Sequence, residues 1–448
     1  MNLDLLRKYD VPVPRYTSYP TVPLWDTSET SAGRWMQHVQ MSFKRNKEIS
    51  LYIHLPYCEA LCTYCGCNKH ITKNHLVEIP YVNAVLKEWK MYTDRLPEKP
   101  VIREIHLGGG TPTFFAPENL ELLVRGLLKD AELAPVRSLS FEAHPASTTT
   151  EHLKTLRQLG FNRISIGVQD FDAEVMRVIN RFQTVEEVRK VTEEARTLGY
   201  ESINYDLIYG LPLQTPAHIE RNLEQIAQLK PDRIAFYSYA HIPEVKKAQR
   251  AYSEKDLPTG MDKLNLYQLG KSGLEKLGYK EIGMDHFALP GDELYRAAKQ
   301  QKLHRNFMGY TPFHTELCIA LGASSISDSW TAYAQNEKTL KEYLRRIREE
   351  DLPPIIKTHF LTEEDQTIRR QILDLICHYQ AHWLDRRADF TFSLQQAFSK
   401  LEQDGLIKIF PYQVKVTARG KSFIRNICRV LDKRMDRDVQ ERIFSKAV

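Results

Sequence analysis

Six times between residues 50 and 239 a short β-rich run is followed by a helical stretch, and that order restricts the fold of this 448-residue chain more than any other feature. The runs are SLYIHL (50–55), IREIHL (102–107), LSFEA (139–143), RISIG (163–167), SINYDLIYG (202–210) and DRIAFYSY (232–239). Between them lie amphipathic stretches such as YVNAVLKEWKMYTDRL and VEEVRKVTEEARTLGY. In the second, Val185, Val188, Val191 and Ala195 share one helical face. Repeated strand-then-helix units predict parallel strands joined by right-handed crossovers. Such a series closes as a full or partial (β/α) barrel or stays open as a doubly wound sheet. Residues of chemical type recur just after the strand ends, which favours the partial barrel.

The length exceeds what one hydrophobic core organises, so a large domain with a smaller companion is expected. After about residue 260 the pattern changes to helix, glycine punctuation and a short strand. From Leu352 the segment DLPPIIKTHFLTEEDQ joins a proline pair to a Thr-Glu-Glu able to cap a new helix. The tail then reads helix, helix and LEQDGLIKIFPYQVKVTARGKSFI, which resembles the hairpin of a winged helix. Pro12, Pro14, Pro20 and Pro23 make the start of the chain an extended strap. The expected domains are therefore 1–48 (strap), 49–350 (barrel and its extension) and 351–448 (a small, mainly helical, winged-helix-like cover). No apolar run approaches the roughly 20 residues of a membrane span. The first residues lack the pattern of a secretory signal, so a cytoplasmic location is expected.

Four of the seven cysteines fall within ten residues of YIHLPYCEALCTYCGCNKHI, Tyr52 to Ile71. An odd count without an export signal argues against a disulfide framework. Cys58, Cys62 and Cys65 have the spacing C-x3-C-x2-C, and Cys67 follows one residue later. Thiolates are soft ligands that suit zinc or iron–sulfur, and spacing alone leaves both open. The paired, distant C-x2-C knuckles of structural zinc are absent. Tyr52 and His54 alternate with Ile53 and Leu55 and so share one face of the first strand; for His54 by itself a satisfied core histidine is the commoner outcome. Directly after the second strand, HLGGGTPT carries the triplet Gly108, Gly109 and Gly110. Such a triplet lets backbone approach a ligand closely and leaves N–H and C=O groups exposed, although tight turns use glycine more often than ligands do.

The cysteine loop after strand one, Tyr64 between its second and third cysteines, and the glycine triplet after strand two together resemble the radical S-adenosylmethionine (SAM) superfamily. RYTSYPT (15–21), CGCNK (65–69), GGGTPT, GVQDF (167–171), DLIYGLP (206–212), PDRIAFYSYAH, GMDHFA (283–288) and HRNFMGYT (304–311) are similar to the oxygen-independent coproporphyrinogen III oxidases. That resemblance runs from about residue 10 to TARGKSFIRNIC. It implies an α/β fold built on a partial (β/α)6 barrel. It implies a [4Fe–4S] cluster on Cys58, Cys62 and Cys65, with SAM on the open iron and a second SAM besides. Cys67 is implied beside SAM without being a ligand. Tyr52, Tyr64, Gly109, Gly110, Thr111, Glu142, Gln169, Arg181 and Asp206 are implied to surround the first SAM, Arg181 meeting its carboxylate. Ala240 and Ile326 are implied near the second.

By the same resemblance the substrate is coproporphyrinogen III, two of whose four propionates become the vinyls of protoporphyrinogen IX in haem biosynthesis. An unactivated propionate β-carbon has neither an acidic proton nor a leaving group, so the hard step belongs to a cofactor. Arg15, His304 and Arg305 are the candidate cations for the propionates. A reductant such as flavodoxin or ferredoxin and an unidentified electron acceptor are implied as partners of a monomer that spans no membrane. Two departures stand out: His144–Pro145–Ala146 replaces an Asp-Pro-Arg, and Met308 replaces a glutamine near the second SAM, which leaves the number of SAM molecules open. A tetrapyrrole carrier and a radical methyltransferase are the rival readings, and the RYTSYPT arm and Cys67 speak against the carrier. From Asp404 onward eleven Lys and Arg stand against five Asp and Glu. Without aromatic and basic interleaving that tail reads as a cover and not as a nucleic-acid binder, and the net charge of +5 adds little.

Overall fold

The six strands form where alternation places them: β1 (Glu48–Leu55), β2 (Val101–Gly109), β3 (Glu132–Ala143), β4 (Arg163–Gln169), β5 (Ser202–Tyr209) and β6 (Arg233–Ser238). All run parallel and lie side by side in chain order. The computed structural model describes residues 3–258, 260–383 and 388–435. The crossovers are α1 (Glu78–Thr93), α2 (Pro117–Lys129), α3 (Thr150–Gln158), α4 (Val185–Thr197) and α5 (Pro216–Leu229). Local chemistry starts them: Thr149 with His152 and Thr184 with Glu187 make capping boxes, and prolines open α2 and α5. On α4 the expected stripe is buried at Val188, Val191 and Ala195, with Val185 only partly covered.

The strands present two unlike faces. Ile49, Leu51, Ile53 and Leu55 of β1, like Ile164, Ile166 and Val168 of β4, point outward under the helices and are fully or almost fully buried. Burying each such side chain contributes about 1.5–3 kcal/mol. The opposite face is mostly polar, with Ser50, Tyr52 and His54 on β1, Glu104 and His106 on β2, Ser138, Ser140 and Glu142 on β3, Arg163 and Ser165 on β4, and Asn204 and Asp206 on β5, while Ile208 and Ala235 are apolar steps in it. Inner residues of β2 through β6 line one cavity of about 560 Å³, so these strands curve around a space as in the expected partial barrel.

The sheet continues on both sides to twelve strands. Beyond β6 lie β8 (His286–Ala288) and then β7 (Lys280–Gly283), antiparallel. Beyond β1 comes β9 (Leu317–Leu321), which is parallel, then β10 (Ile326–Asp328), β11 (Ala332–Asn336) and β12 (Ile355–Phe360), which are antiparallel. Residues 355–360, grouped from sequence with the C-terminal domain, thus belong to the main sheet. Helices Glu363–His378 and Ala388–Gln403 follow, with strand Gln380–His382 joining the hairpin Ile407–Phe410 and Gln413–Val416 in a winged-helix-like arrangement. The first residues are less extended than their prolines suggest, because Trp35, Val39 and Phe43 bury one face of a helix at Ala32–Arg45. Before it come a helix at Leu3–Tyr9, a helical turn at Val22–Leu24 and otherwise irregular chain, which together tie the parts of the molecule to one another. Trp25 stacks on Tyr333 of β11 with centroids 5.3 Å apart, and Arg425 donates to the carbonyls of Val13 and Pro14. No helix among the described residues is long and apolar enough to cross a membrane.

Candidate active site

The cysteine loop leaves the end of β1 and is closed by a short parallel bridge between Tyr57–Cys58 and His70–Ile71. Backbone bonds set its course: Thr63 N–H donates to Ile179 O at 2.9 Å, and Cys65 N–H to Cys62 O at 3.2 Å. Asn180 holds the Leu61 carbonyl at 2.7 Å and Lys69 that of Cys65 at 3.1 Å. All four cysteines of the loop are free thiols lining the cavity. Burial pushes the Cys58 thiol up to about 11, partly offset by the Thr111 hydroxyl 3.3 Å from its sulfur. A hydrogen bond with Cys67 brings Cys65 down to about 6, with Lys69 adding to the effect. The Arg181 guanidinium lies 3.7 Å from Cys62 Sγ. Soft sulfur donors flanked by fixed cations suit an anionic iron–sulfur cluster. A single ion needs converging ligands, and among the described residues no three His, Cys, Asp or Glu side chains gather in that way.

Beside the loop, the glycine triplet ends β2. Gly109 has φ +119°, and a Cβ on it would sit 2.7 Å from His54 Nδ1; on Gly110 it would sit 2.6 Å from the Pro56 carbonyl. Only glycine fits both positions. The N–H groups are engaged, Gly109 to Glu142 Oε2 at 3.3 Å, Gly110 to Leu55 O at 2.8 Å and Thr111 to Tyr57 O at 2.9 Å. The expected exposed N–H donors are therefore absent from this turn, because the protein itself consumes them.

The inner face completes the site. Glu142 at the end of β3 accepts from Gly109 and faces His106 Nε2 at 3.4 Å. Burial alone would raise its carboxyl, but His106, the Gly109 N–H and His54 outweigh burial and leave it below the ordinary value. Asp206 accepts from Ser165 and Asn204, each at 2.9 Å, yet burial and the nearby Glu142 charge push it up to about 6. Gln169 ends β4 at φ +69°, and Arg181 donates to the Gly167 carbonyl on the same strand. Cys58, Cys62, Tyr64, Cys65, Cys67, Gly109, Gly110, Thr111, Glu142, Gln169, Arg181 and Asp206 all line the one cavity. Tyr52 stands just behind it, its hydroxyl 3.1 Å from His54 Nδ1 and its ring 6.0 Å from that of His106.

The radical SAM superfamily profile matches residues 52–226. An oxygen-independent coproporphyrinogen III oxidase of Pseudomonas aeruginosa is 38% identical over 96% of this chain and 95% of its own. That of Synechocystis is 35% identical over 99% and 97%. A solved structure, the Escherichia coli coproporphyrinogen III oxidase described as a radical SAM enzyme, superposes with TM-score 0.89 at 35% identity, over 96% of this chain and 98% of that one. The chain belongs to the oxygen-independent coproporphyrinogen III oxidases.

Besides Tyr52, five of the residues expected from resemblance to this family lie off the cavity lining. Ala240 is exposed, and Gln249 joins its carbonyl, at 3.1 Å, to that of Tyr64 at 3.3 Å. Ile326 packs with Trp25, Phe307 and Tyr333. Arg15 pairs with Asp285 at 3.0 Å and lies 6.0 Å from the ring of Tyr237, which does line the cavity. Arg305 donates to the Arg15 carbonyl at 2.9 Å and lies over Tyr310. His304 stands 4.4 Å from His314, and burial, with His314 and Arg369 close by, holds its pKa well below the usual value. An imidazole so placed is neutral near pH 7 and offers no charge to an anion. Sequence reasoning missed Lys69, His106, Arg163, Arg233, Tyr237 and His286, which all line the cavity. The available signal was position: most occupy inner-face steps of a strand whose alternate steps are apolar. Met308 and His144, the sites of the two departures, also line it.

Proposed function

We propose that this cavity is where the family's reaction takes place. Membership makes the chain an oxidase of coproporphyrinogen III in haem biosynthesis that works with a [4Fe–4S] cluster and SAM. Bound there, the cluster and SAM would supply the 5′-deoxyadenosyl radical that takes a propionate β-hydrogen. Cys58, Cys62 and Cys65 would hold the cluster, and the Arg181 guanidinium beside Cys62 would offset thiolate charge and meet the SAM carboxylate. The Gly109–Thr111 turn, its N–H groups taken, would offer carbonyl oxygen to an amino group. Glu142 and Asp206 would accept from ribose hydroxyls, with His106 keeping the Glu142 carboxyl ionised. Gln169, Tyr64 and Cys67 would pack around the same molecule, and Tyr52 would fix His54 under the turn. With SAM and substrate bound between walls from five strands, water would be displaced from around the radical.

The second SAM is proposed on the side of Met308, Ala240 and Ile326. Arg15 and Arg305 are proposed as rim cations behind Tyr237 and Tyr310. The strap (1–48) and the winged-helix-like module that follows β12 are proposed to cover the catalytic barrel and not to bind nucleic acid. A flavodoxin- or ferredoxin-type reductant, a separate electron acceptor, a monomeric state and a cytoplasmic location complete the proposal. What carries it is one space bounded at once by the four free thiols of the loop, by Glu142 near the end of β3 and by Asp206 within β5. The test is anaerobic turnover of reconstituted protein with reductant, SAM and coproporphyrinogen III. Protoporphyrin after oxidation, with matching 5′-deoxyadenosine, is expected. 5′-Deoxyadenosine without vinyl product would overturn the substrate assignment.

A further inference from the structure

The floor of the cavity, opposite the cysteine loop, carries two arginines. Arg163 is the first residue of β4 and Arg233 the first of β6, both on the inner face and both lining the cavity. Six strand steps separate Arg163 from Gln169, about 20 Å at the rise of a β-strand. Arg163 Nη1 donates to Ser138 Oγ at 2.9 Å. Arg233 gives its Nε–H to the two oxygens of Asp292 at 2.8 and 2.9 Å. Arg233 is only 4% exposed, and among the described residues neither Nη1 nor Nη2 has a hydrogen-bond partner.

Buried guanidinium donors without acceptors are costly, since a guanidinium has only donors to offer. The neighbouring acids do not relieve them. Asp292 is engaged at Nε and also accepts from Ser202 at 2.7 Å. Glu104 is occupied by the Ser50 hydroxyl at 2.8 Å and by Thr311, and burial raises its carboxyl pKa. Burial, then the positive charge of Arg233, pulls the Arg163 guanidinium down to about 9. A layer with two guanidiniums and unspent donors is set up for an anion, and planar paired guanidiniums match a carboxylate.

We infer that Arg163 and Arg233 form a carboxylate site at the floor of the cavity, and that a propionate of the tetrapyrrole fills it. This rests on the proposed function. Two of the substrate's four propionates keep their carboxylates through the reaction. One of these, held at the floor, orients the macrocycle along the cavity and turns another propionate toward the cysteine end.

The test compares wild type with R163Q and R233K, all reconstituted. R163Q forfeits one bond to Ser138, and R233K keeps a cation for Asp292 while removing the unpaired donors. Both are expected to raise KM for coproporphyrinogen III at least tenfold and to weaken binding of coproporphyrin III equally. Binding of coproporphyrin tetramethyl ester, SAM affinity and iron content should stay at wild-type levels. KM and coproporphyrin affinity within twofold of wild type in both folded variants would overturn the site. Loss of acetate binding with KM unmoved would assign it to a free small anion and overturn it too. If coproporphyrin binding falls in the variants but wild type makes no vinyl product, the carboxylate site stands and the reaction assignment fails.

Discussion

The six barrel strands have two faces built on opposite rules. Outward, Ile, Leu, Val and Phe sit buried against helices, where apolar side chains of similar volume substitute at modest cost. Inward, the same strands carry Ser, His, Glu, Asp and Arg around a cavity of about 560 Å³. A packed (β/α) barrel fills its centre with branched apolar side chains; here the centre is given to chemistry, and the apolar packing of these strands lies mainly on their outer face. Substitutions on the two faces should therefore fail in different ways.

The largest effect belongs to the cysteine end. Cys62→Ala should leave the fold intact, bring iron and sulfide content of reconstituted protein to background, and lower turnover at least about a thousandfold. Iron analysis beside circular dichroism checks it, and full cluster content in the variant would break the division between faces. On the outer face, Leu51→Ala, fully buried under the helices, should cost about 2–5 kcal/mol in denaturant unfolding while cluster content per folded molecule is unchanged.

A smaller effect sharpens the inner face by pH. Asp206 sits at about 6 against an ordinary 3.8, because it is buried and close to Glu142. The folded protein therefore keeps a proton that the unfolded chain gives up between those values, so stability falls as pH rises from about 4 to about 6. Asp206→Asn lacks this slope and should gain on wild type across that window by up to roughly 3 kcal/mol, less whatever its altered hydrogen bonds cost. Unfolding midpoints from pH 4 to 7 measure it, and a pH-independent difference would mean that the carboxylate is solvated.

The two faces also differ in how far the sequence reveals them. The outer face is legible because apolar residues recur at every second position of β1, β4 and β5. The cysteine end is legible because its chemistry is contiguous: Cys58 to Cys67 lie on one loop and Gly108 to Thr111 on one turn. The floor is not. Arg163 and Arg233 each begin a strand, where an isolated arginine reads as surface, and only parallel register and curvature bring them to one cavity. Likewise His106 and Glu142 belong to different strands and meet through pairing. The helix at Ala32–Arg45 was hidden by the prolines before it, although Trp35, Val39 and Phe43 already have the spacing of a buried helical face.

If one polar cavity brings SAM and a propionate side chain together, a hydrogen should pass from one to the other, and isotope transfer follows it. Coproporphyrinogen III deuterated at the propionate β-carbons would be turned over anaerobically with unlabelled SAM, and the 5′-deoxyadenosine analysed by mass. One deuterium is expected in each molecule of 5′-deoxyadenosine formed with vinyl product. Vinyl product accompanied by unlabelled 5′-deoxyadenosine would contradict it.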